Sequence, residues 1–356
     1  MKLERTISKI KSVDKESMKL AKDRQDTLTK PPGSLGMLEE LSIRVAGIQA
    51  KALPEIKHKA VITMAGDHGV VDEGVSAYPR EVTSQMVYNF IRGGAGINVL
   101  ARHMGARIIV VDMGVAADLN LEDGEAFRSK KIAYGTDNFI KGPAMSREDA
   151  VRSIEVGIEV VEGEVNKGLD ILATGDMGIG NTTPSSAIVA AITGREVRRV
   201  TGRGTGIGDA AFEDKVRIIE RGLKVNKSNP ADALDVLSKV GGFEIGGLAG
   251  VILAGAANRI PVVLDGFISG AAALIAYTLT PQVKDYMFAA HQSVEVGHVA
   301  ILEHIGLRPL LDLNLRLGEG TGATLGIFVV EAGVKILREM ATFAEADVSE
   351  SEDKGG

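Results

Sequence analysis

Five short apolar runs along the chain predict buried strands. They are rich in Val, Ile, Leu and Ala, and each ends in glycine or a polar cluster. The runs are KAVITMAGDHG (59–69), RIIVVDMGV (107–115), LDILATGDMGIGN (169–181), RIPVVLDGF (259–267) and YMFAAHQS (286–293). Helical patterns lie between them, and this alternation is typical of a parallel sheet that is covered by helices on both faces. The pattern predicts an α/β fold with a Rossmann-like parallel sheet, in which ligands bind beyond the carboxyl ends of the strands.

The two ends of the chain differ from its middle. Residues 1–52 are charged and helical in pattern, with a break at TKPPGSLG (29–36), and residues 322–346 read as one long helix with an apolar face. We therefore predict a small helical domain built from 1–52 and 322–346, packed on an α/β catalytic domain of residues 53–321. Residues 347–356 are interpreted as a frayed tail.

A strongly apolar segment, residues 246–280, resembles a membrane span in hydropathy. Asn258, Arg259, Pro261 and Asp265 interrupt it, so no part reaches the roughly 20 apolar residues that a span requires. We interpret the segment as buried helix, buried strand and buried helix, and predict no membrane span.

Composition narrows the class of protein. The 356 residues carry a net charge of −6 and include no cysteine, which excludes disulfides, thiolate metal sites and cysteine nucleophiles. The mild acidity argues against a nucleic-acid partner, which would require a basic face. The first residues, MKLERTISKIKSVDKES, contain no apolar run and do not read as a signal peptide, so we expect a cytoplasmic protein.

Two glycine-rich loops carry the first candidate chemistry. Residues 175–187 (GDMGIGNTTPSSA) and 201–209 (TGRGTGIGD) combine glycines with hydroxyl groups, and a helical pattern containing Lys215 follows the second loop. Glycines let backbone N–H groups approach an anion, and a helix N-terminus favours negative charge. The second loop matches neither the P-loop nor the dinucleotide pattern, and a plain glycine-rich turn is the alternative there. Together the loops favour a cradle for a phosphate or a sugar phosphate.

The segment after the first predicted strand, residues 65–86, contains Asp67 and His68. Their spacing gives no clear set of metal ligands, so we predict no metal site and interpret the histidine as a local hydrogen-bonding group. The aromatic, proline and glutamine side chains of AYPREVTSQM (77–86) would suit one wall of a pocket for a flat ring.

Ser293 and Glu319 are two further candidates. Ser293 lies outside any Gly-x-Ser-x-Gly sequence, so we interpret it as a helix cap or a ligand of phosphate oxygens. Glu319 stands between two glycines after an apolar stretch, and partial desolvation there would raise its pKa towards that of a general base. A glutamate that is merely stabilised at a helix N-terminus is the alternative.

Six segments then occur in an order that resembles one enzyme family. They are KPPGSLGMLEEL, AGDHGV with YPREVTSQM, GDMGIGNTTPSSA, GRGTGIGD, GGFEIGGLAG and RLGEGTGA. From about Thr29 to Ala346 the chain is similar to the nicotinate-nucleotide:dimethylbenzimidazole phosphoribosyltransferases of cobalamin lower-ligand assembly.

This resemblance implies an activity and a site. The phosphoribosyl group of nicotinate mononucleotide would pass to 5,6-dimethylbenzimidazole, giving α-ribazole 5′-phosphate and nicotinate with inversion at the anomeric carbon, in a homodimer that uses no metal and no organic cofactor. The resemblance implies Glu319 as the catalytic base. It implies a ribose and phosphate site of Asp176, Met177, Gly178, Ile179, Gly180, Gly204, Thr205, Gly206, Lys215 and Ser293. It implies an acceptor and nicotinate pocket of Tyr78, Gln85, Met86, Arg316 and Leu317.

The chain departs from the family pattern at Asp176, where the family often has glutamate. The shorter side chain changes the reach towards a ribose hydroxyl or an acceptor nitrogen, which leaves Glu319 to carry the role of base. Two other functions stay open from the sequence: a protein that binds the nucleotide or the base without turnover, and a nicotinamide-dinucleotide oxidoreductase.

Overall fold

One seven-stranded sheet forms the centre of the part of the chain that the computed structural model describes, residues 1–349. The strands are β1 (Lys59–Gly66), β2 (Arg107–Gly114), β3 (Phe127–Ser129), β4 (Ile171–Met177), β5 (Val262–Leu264), β6 (Met287–His291) and β7 (Pro309–Leu311). All neighbouring pairs are parallel, and their order is β3-β2-β1-β4-β5-β6-β7. The direction of winding reverses between β1 and β4, where open parallel sheets form a crevice at the carboxyl ends of the strands.

Helices connect and cover these strands. In residues 1–349 they are α1 (Lys2–Lys9), α2 (Lys15–Thr27), α3 (Met37–Gln49), α4 (Val82–Arg92), α5 (Gly96–Met104), α6 (Arg147–Val165), α7 (Thr182–Thr193), α8 (Val197–Val200), α9 (Asp209–Asn226), α10 (Ala233–Val240), α11 (Phe243–Ala257), α12 (Phe267–Leu279), α13 (Gly297–Ile305) and α14 (Thr321–Glu339). Short 3₁₀ helices cover Gly69–Glu73 and Pro281–Tyr286.

The prediction of a parallel α/β sheet is confirmed. The five apolar runs correspond to β1, β2, β4, β5 and β6, whereas the three-residue strands β3 and β7 were not predicted. The apolar segment 246–280 forms most of α11, then β5 and α12, in agreement with the prediction of buried helix, strand and helix. Among the described helices, none combines the length and the apolar character that a membrane crossing needs.

The two faces of the sheet are covered by different helices. Successive strand residues point to opposite faces, and in β1 the side chain of Val61 meets Gly320 at the start of α14 while that of Met64 meets Gly247 of α11. Behind α11 lies α6, and the two helix backbones nearly touch, since a Cβ on Gly157 would lie 1.9 Å from the Gly247 carbonyl oxygen. Burial on both sides explains why β1 is buried from residue 60 to residue 66 and is mostly apolar.

The N-terminal helices contact the C-terminal helix. The Arg24 side chain of α2 donates to the Leu337 carbonyl of α14 at 2.8 Å, and Leu38 of α3 lies against Gly333. Helix α14 also packs on β4, β5 and β6, and α1 packs on α6 and α11. The domain bounds 1–52 plus 322–346 and 53–321 stay a prediction, as does the tail, of which residues 350–356 lie outside the described part.

Candidate active site

A cleft of about 340 Å³ opens at the carboxyl ends of the strands, where the sheet reverses its winding. Segments that follow β1, β4, β5, β6 and β7 contribute to its wall, together with residues 204 and 205. The lining residues are Val75, Ser76, Tyr78, Asp176, Met177, Gly178, Ile179, Gly180, Asn181, Thr182, Gly204, Thr205, Gly266, Phe267, Ile268, His291, Ser293, Glu295, Arg316, Leu317 and Gly318. The fold therefore brings together residues that are far apart in sequence.

The first glycine-rich loop turns from β4 into α7. The Ile179 N–H donates to the hydroxyl of buried Thr83 at 3.0 Å, which ties the loop to α4. The Asn181 amide donates to Asp176 Oδ2 at 2.9 Å, so the last carboxylate of the strand is bonded to the residue that begins the helix. The N-terminus of α7 thus borders the cleft, and backbone N–H groups at a helix start attract anions.

The second glycine-rich loop reaches the cleft from the end of α8 and does not follow a strand. Its Gly204 N–H donates to Glu295 Oε1 at 3.0 Å, and the Gly204 carbonyl accepts from Arg316 Nη1 at 3.1 Å. The Thr205 hydroxyl accepts the Ala77 N–H at 3.0 Å, which connects this loop with the segment after β1.

Lys215 lies behind both glycine loops. It is fully buried on α9, and its Nζ donates to the Thr182 hydroxyl at 2.7 Å. A Cβ on Gly204 would lie 3.3 Å from Nζ, so the absence of a side chain there keeps the ammonium close to the cleft. Burial lowers the pKa of Lys215 to about 8, with the Glu295 charge acting in the opposite direction. A buried cation behind two loops that line the cleft suits a phosphate.

Glu319 stands in a tight turn directly before α14. Its φ is +65°, between Gly318 at +82° and Gly320 at +99°. The Glu319 N–H donates to the Asp176 carbonyl at 3.2 Å, and the Glu319 carbonyl accepts the Thr63 hydroxyl at 3.0 Å. The side chain is 6% exposed, and burial raises the pKa of Glu319.

The Glu319 carboxylate is turned towards α5. Its Oε2 accepts the Ile97 N–H at 3.1 Å, in the first turn of that helix, and this bond partly offsets the rise in pKa. Both readings of Glu319 from the sequence therefore have a structural counterpart: the carboxylate is desolvated, and it also lies at a helix N-terminus.

Other buried acids lie near Glu319. Burial raises the pKa of Asp176 well above its usual range, and the charge of Asp265 adds to the effect. Burial raises the pKa of Asp265 to about 7, although backbone N–H groups of α14 oppose this. Glu244 is also fully buried, with Oε1 3.0 Å from His68 Nε2. In residues 1–349 no group of three or more His, Asp or Glu side chains has the geometry to hold a metal ion.

Most of the residues implied by the resemblance line the cleft. Those that do are Tyr78, Asp176, Met177, Gly178, Ile179, Gly180, Gly204, Thr205, Ser293, Arg316 and Leu317. The others, which lie outside this lining, are Gln85, Met86, Gly206, Lys215 and Glu319.

Ser293 does not cap a helix, because α13 begins only at Gly297 and its N-cap is Val296. Its N–H donates to His298 Nδ1 at 3.0 Å and its hydroxyl to the Leu315 carbonyl at 3.3 Å. These bonds hold Ser293 in the wall of the cleft.

Sequence reasoning missed several residues of the wall. Asn181 and Thr182 belong to the quoted loop but were not singled out, and Gly266 and Phe267 follow β5. The rule that ligands bind beyond strand ends would have found the last two. Glu295 carries no such signal, because its role depends on the distant Gly204.

The comparisons with known proteins agree with this geometry. Residues 10–348 match a family model described as Phosphoribosyltransferase. The chain is 60% identical over 351 residues to the nicotinate-nucleotide–dimethylbenzimidazole phosphoribosyltransferase of Chloroflexus aggregans, which covers 99% of both chains. It is 59% identical to the enzyme of the same name from Geobacter sulfurreducens, covering 98% of this chain and 99% of that one.

Solved structures give the same result. The crystal structure of CobT from Thermus thermophilus superposes with a TM-score of 0.90 at 46% identity, covering 94% of this chain and 100% of that one. A crystal structure of nicotinate-nucleotide–dimethylbenzimidazole phosphoribosyltransferase from the same organism superposes with a TM-score of 0.89 at 44% identity, covering 95% and 100%.

Proposed function

Because the chain belongs to the nicotinate-nucleotide–dimethylbenzimidazole phosphoribosyltransferase family, we propose that its cleft joins the phosphoribosyl group of nicotinate mononucleotide to 5,6-dimethylbenzimidazole or a related base. The chain is a phosphoribosyltransferase, and its products are α-ribazole 5′-phosphate and nicotinate. The observation that supports this function most directly is that the two glycine loops line one cleft, with buried Lys215 behind them and buried Glu319 next to the lining residue Gly318.

The reaction breaks one carbon–nitrogen bond and forms another at the anomeric carbon of ribose. An unprotonated ring nitrogen of the acceptor attacks from the face opposite nicotinate, so the configuration inverts. The bonding electrons leave with nicotinate, whose pyridinium nitrogen becomes neutral and needs no proton. The second ring nitrogen of the acceptor loses its proton, and Glu319 accepts it.

Glu319 suits the role of base because it is buried and its pKa is raised. A carboxylate with a raised pKa takes a proton more readily at neutral pH than an exposed glutamate does. The Ile97 N–H holds Oε2, so the orientation of the carboxylate is fixed before the acceptor arrives.

The donor nucleotide fits the opposite side of the cleft. The N-terminus of α7, the loop around Gly204 and the ammonium of Lys215 would bind the phosphate, with Ser293 adding a hydroxyl group. Asp176 lies at the base of the cleft and would approach the ribose. The proposed reaction uses neither a metal nor an organic cofactor.

The acceptor and nicotinate would occupy the remaining wall. Tyr78 and Leu317 expose 55% and 60% of their surface and line the cleft, which gives an apolar contact for flat rings. Arg316 lies beside them and carries a charge that suits the nicotinate carboxylate. Gln85 and Met86 lie on α4 and do not line the cleft, but they would contact the ring when it is bound.

We further propose that the protein is a homodimer and acts in the cytoplasm. The family resemblance implies the dimer, and Phe328 on α14, 59% exposed, is a large apolar side chain that an interface would cover. Sedimentation velocity should give the mass of two chains, and a monomer at micromolar concentration would contradict the assembly.

Incubation with nicotinate mononucleotide and a panel of acceptors tests the function. The panel contains dimethylbenzimidazole, adenine and a phenol, and mass spectrometry follows nicotinate release and ribotide formation. We expect ribotide with one favoured acceptor and an equal amount of nicotinate. Tight nucleotide binding without product on any acceptor would instead support a binding protein.

A further inference from the structure

Asp265 caps a helix that belongs to a different part of the chain. It follows β5 directly and is 1% exposed. Its Oδ2 accepts the Gly320 N–H at 3.2 Å and its Oδ1 accepts the Ala323 N–H at 2.9 Å. The N-cap residue of α14 is Gly320, which has no side chain, so Asp265 provides the acceptors that a local Ser, Thr, Asn or Asp would usually provide.

The residue next to this cap is Glu319. The backbone of Gly318, Glu319 and Gly320 is left-handed at three consecutive positions, a conformation that is unfavourable for a glutamate. Such a conformation persists only where the surroundings hold it. Bonds from Asp176 and Thr63 hold the peptide groups of Glu319, while Asp265 holds the residue that follows.

Asp265 is itself held from the sheet. Its N–H donates to the hydroxyl of buried Thr174 in β4 at 3.2 Å, and this hydroxyl lies 3.5 Å from the Val263 carbonyl. A chain of contacts therefore runs from the centre of the sheet through Thr174 and Asp265 to the turn that carries Glu319.

We propose that Asp265 is a positioning residue for the reaction: by accepting the Gly320 and Ala323 N–H groups it fixes the turn that holds Glu319 in place next to the lining residue Gly318. This inference rests on the proposed function, in which Glu319 is the base. An aspartate suits the task because its carboxylate, when ionised, accepts on both oxygens, whereas an asparagine of the same shape can accept on only one.

The central test is a double-mutant cycle with Asp265→Asn, Glu319→Gln and the combined variant. Asp265→Asn should lower kcat by roughly 100-fold, the size of effect that a displacement of about 1 Å has on a reacting group. The dissociation constant of nicotinate mononucleotide should stay near that of the wild type, because the phosphate loops do not depend on Asp265. In the Glu319→Gln background the same change should cost little more, because the base that Asp265 positions is already absent.

Asp232 serves as a control aspartate, because it also caps a helix, although it is only half-buried and pairs with Arg147. It caps α10 by accepting the Leu234 and Asp235 N–H groups at 3.1 Å each, away from the cleft. Asp232→Asn should leave kcat unchanged. Thermal melting and circular dichroism of all variants establish that each is folded.

The outcomes separate the two proposals. Full activity of Glu319→Gln would overturn the assignment of the base, and the positioning role with it. A slow Glu319→Gln with a fully active Asp265→Asn would overturn the positioning role alone. Additive losses in the double variant, or a loss of nucleotide affinity equal to the loss in kcat, would also overturn it, since either result points to a general structural effect.

A second pair of variants covers the case in which Asp265→Asn does not fold. Thr174→Val removes the hydroxyl that accepts the Asp265 N–H, and Thr174→Ser retains it. We expect Thr174→Val to lower kcat at unchanged nucleotide affinity and Thr174→Ser to restore it. Equal kcat in both variants and the wild type would overturn the inference.

Discussion

The burial of Lys215 is costly for the free protein. An ammonium loses its hydration when it is enclosed, and the Thr182 hydroxyl replaces only part of it. The pKa of Lys215 is lowered to about 8 because of this loss of hydration. A phosphate in the cleft would supply the missing negative charge, so nucleotide binding and the protonation of Lys215 should be coupled.

We therefore expect the affinity for nicotinate mononucleotide to decrease as the pH rises through about 8, where Lys215 loses its proton in the free protein. The phosphate is already fully ionised above about pH 7, so it does not contribute to this decrease. Lys215→Met should weaken binding at about pH 7 by roughly 10- to 100-fold, as expected for a lost charged hydrogen bond, and should abolish the decrease at higher pH. Calorimetry at constant ionic strength measures both effects.

Lys224→Met, on the exposed face of the same helix, is the control, and a pH-independent affinity of the wild type would contradict the prediction.

At Glu319 the expected effect is on rate. Glu319→Gln keeps the size of the side chain but cannot accept the proton, so kcat should fall by about 10²- to 10⁴-fold with little change in nucleotide affinity. Because burial raises the pKa of Glu319, the acid limb of the wild-type rate profile should lie above the pKa of an ordinary glutamate and be absent from the variant. Steady-state rates across pH check this. Glu339→Gln, exposed near the end of α14, should behave as the wild type, and an unchanged rate in Glu319→Gln would remove this residue from the mechanism.

At the scale of elements, the turn before α14 lies directly on β4. A Cβ on Gly175 would lie 2.3 Å from the Glu319 carbonyl oxygen, so the strand can approach the turn only because residue 175 has no side chain. Gly175→Ala should destabilise the protein by about 1–3 kcal/mol through overpacking and should also lower kcat, since it displaces Glu319. Gly163→Ala in α6, where the new Cβ has no atom within 4 Å, should stabilise by about 0.5–1 kcal/mol and leave kcat unchanged. Urea unfolding and initial rates measure both, and a fully active Gly175→Ala would contradict the link between strand and turn.

The elements that the sequence predicted are those with strong burial on both faces. The runs at β1, β2, β4, β5 and β6 were found because central parallel strands are apolar throughout. At the edges, β3 and β7 have three residues each and are only partly buried, whereas the equally short β5 is buried throughout and lies within a longer apolar segment. Between β1 and β2, α4 ends at Arg92 with Gly93 as a left-handed C-cap, and α5 begins at Gly96, a division that hydrophobic periodicity alone does not reveal.

The site was predictable where its chemistry is local. The glycine loops and Glu319 carry their signal in adjacent residues, and the family resemblance assigned the rest. Asp265 was noted only as an interruption of an apolar segment, because its partners, Gly320 and Ala323, are more than fifty positions away. Contacts that the sheet topology creates, such as Gly204 with Glu295, leave no pattern along the chain.

At the scale of the whole molecule, the sheet gathers several buried acids at the ends of its strands. Asp176 lies at the end of β4 and Asp265 follows the neighbouring β5. Burial and the charge of Asp265 both raise the pKa of Asp176. Such a cluster is expected where function, not stability, determines the residues. The same groups should therefore make the stability of the molecule depend on pH.

Asp176→Asn tests this trade-off between stability and activity. A carboxyl whose pKa is raised in the folded state holds its proton more tightly there than in the unfolded chain, so its contribution to stability is lost as the pH rises towards the folded-state pKa. Asparagine does not ionise and can still accept the Asn181 amide proton, so the variant avoids this loss. The melting temperature of Asp176→Asn should accordingly exceed that of the wild type by a margin that grows from about pH 5 to about pH 8, while activity falls because residue 176 lines the cleft. Asp23→Asn, at an exposed position of α2, is the control and should show no such growth. A margin that is constant or shrinks with pH would mean that the buried carboxylate is already compensated, and the stability cost would then have to lie elsewhere in the molecule.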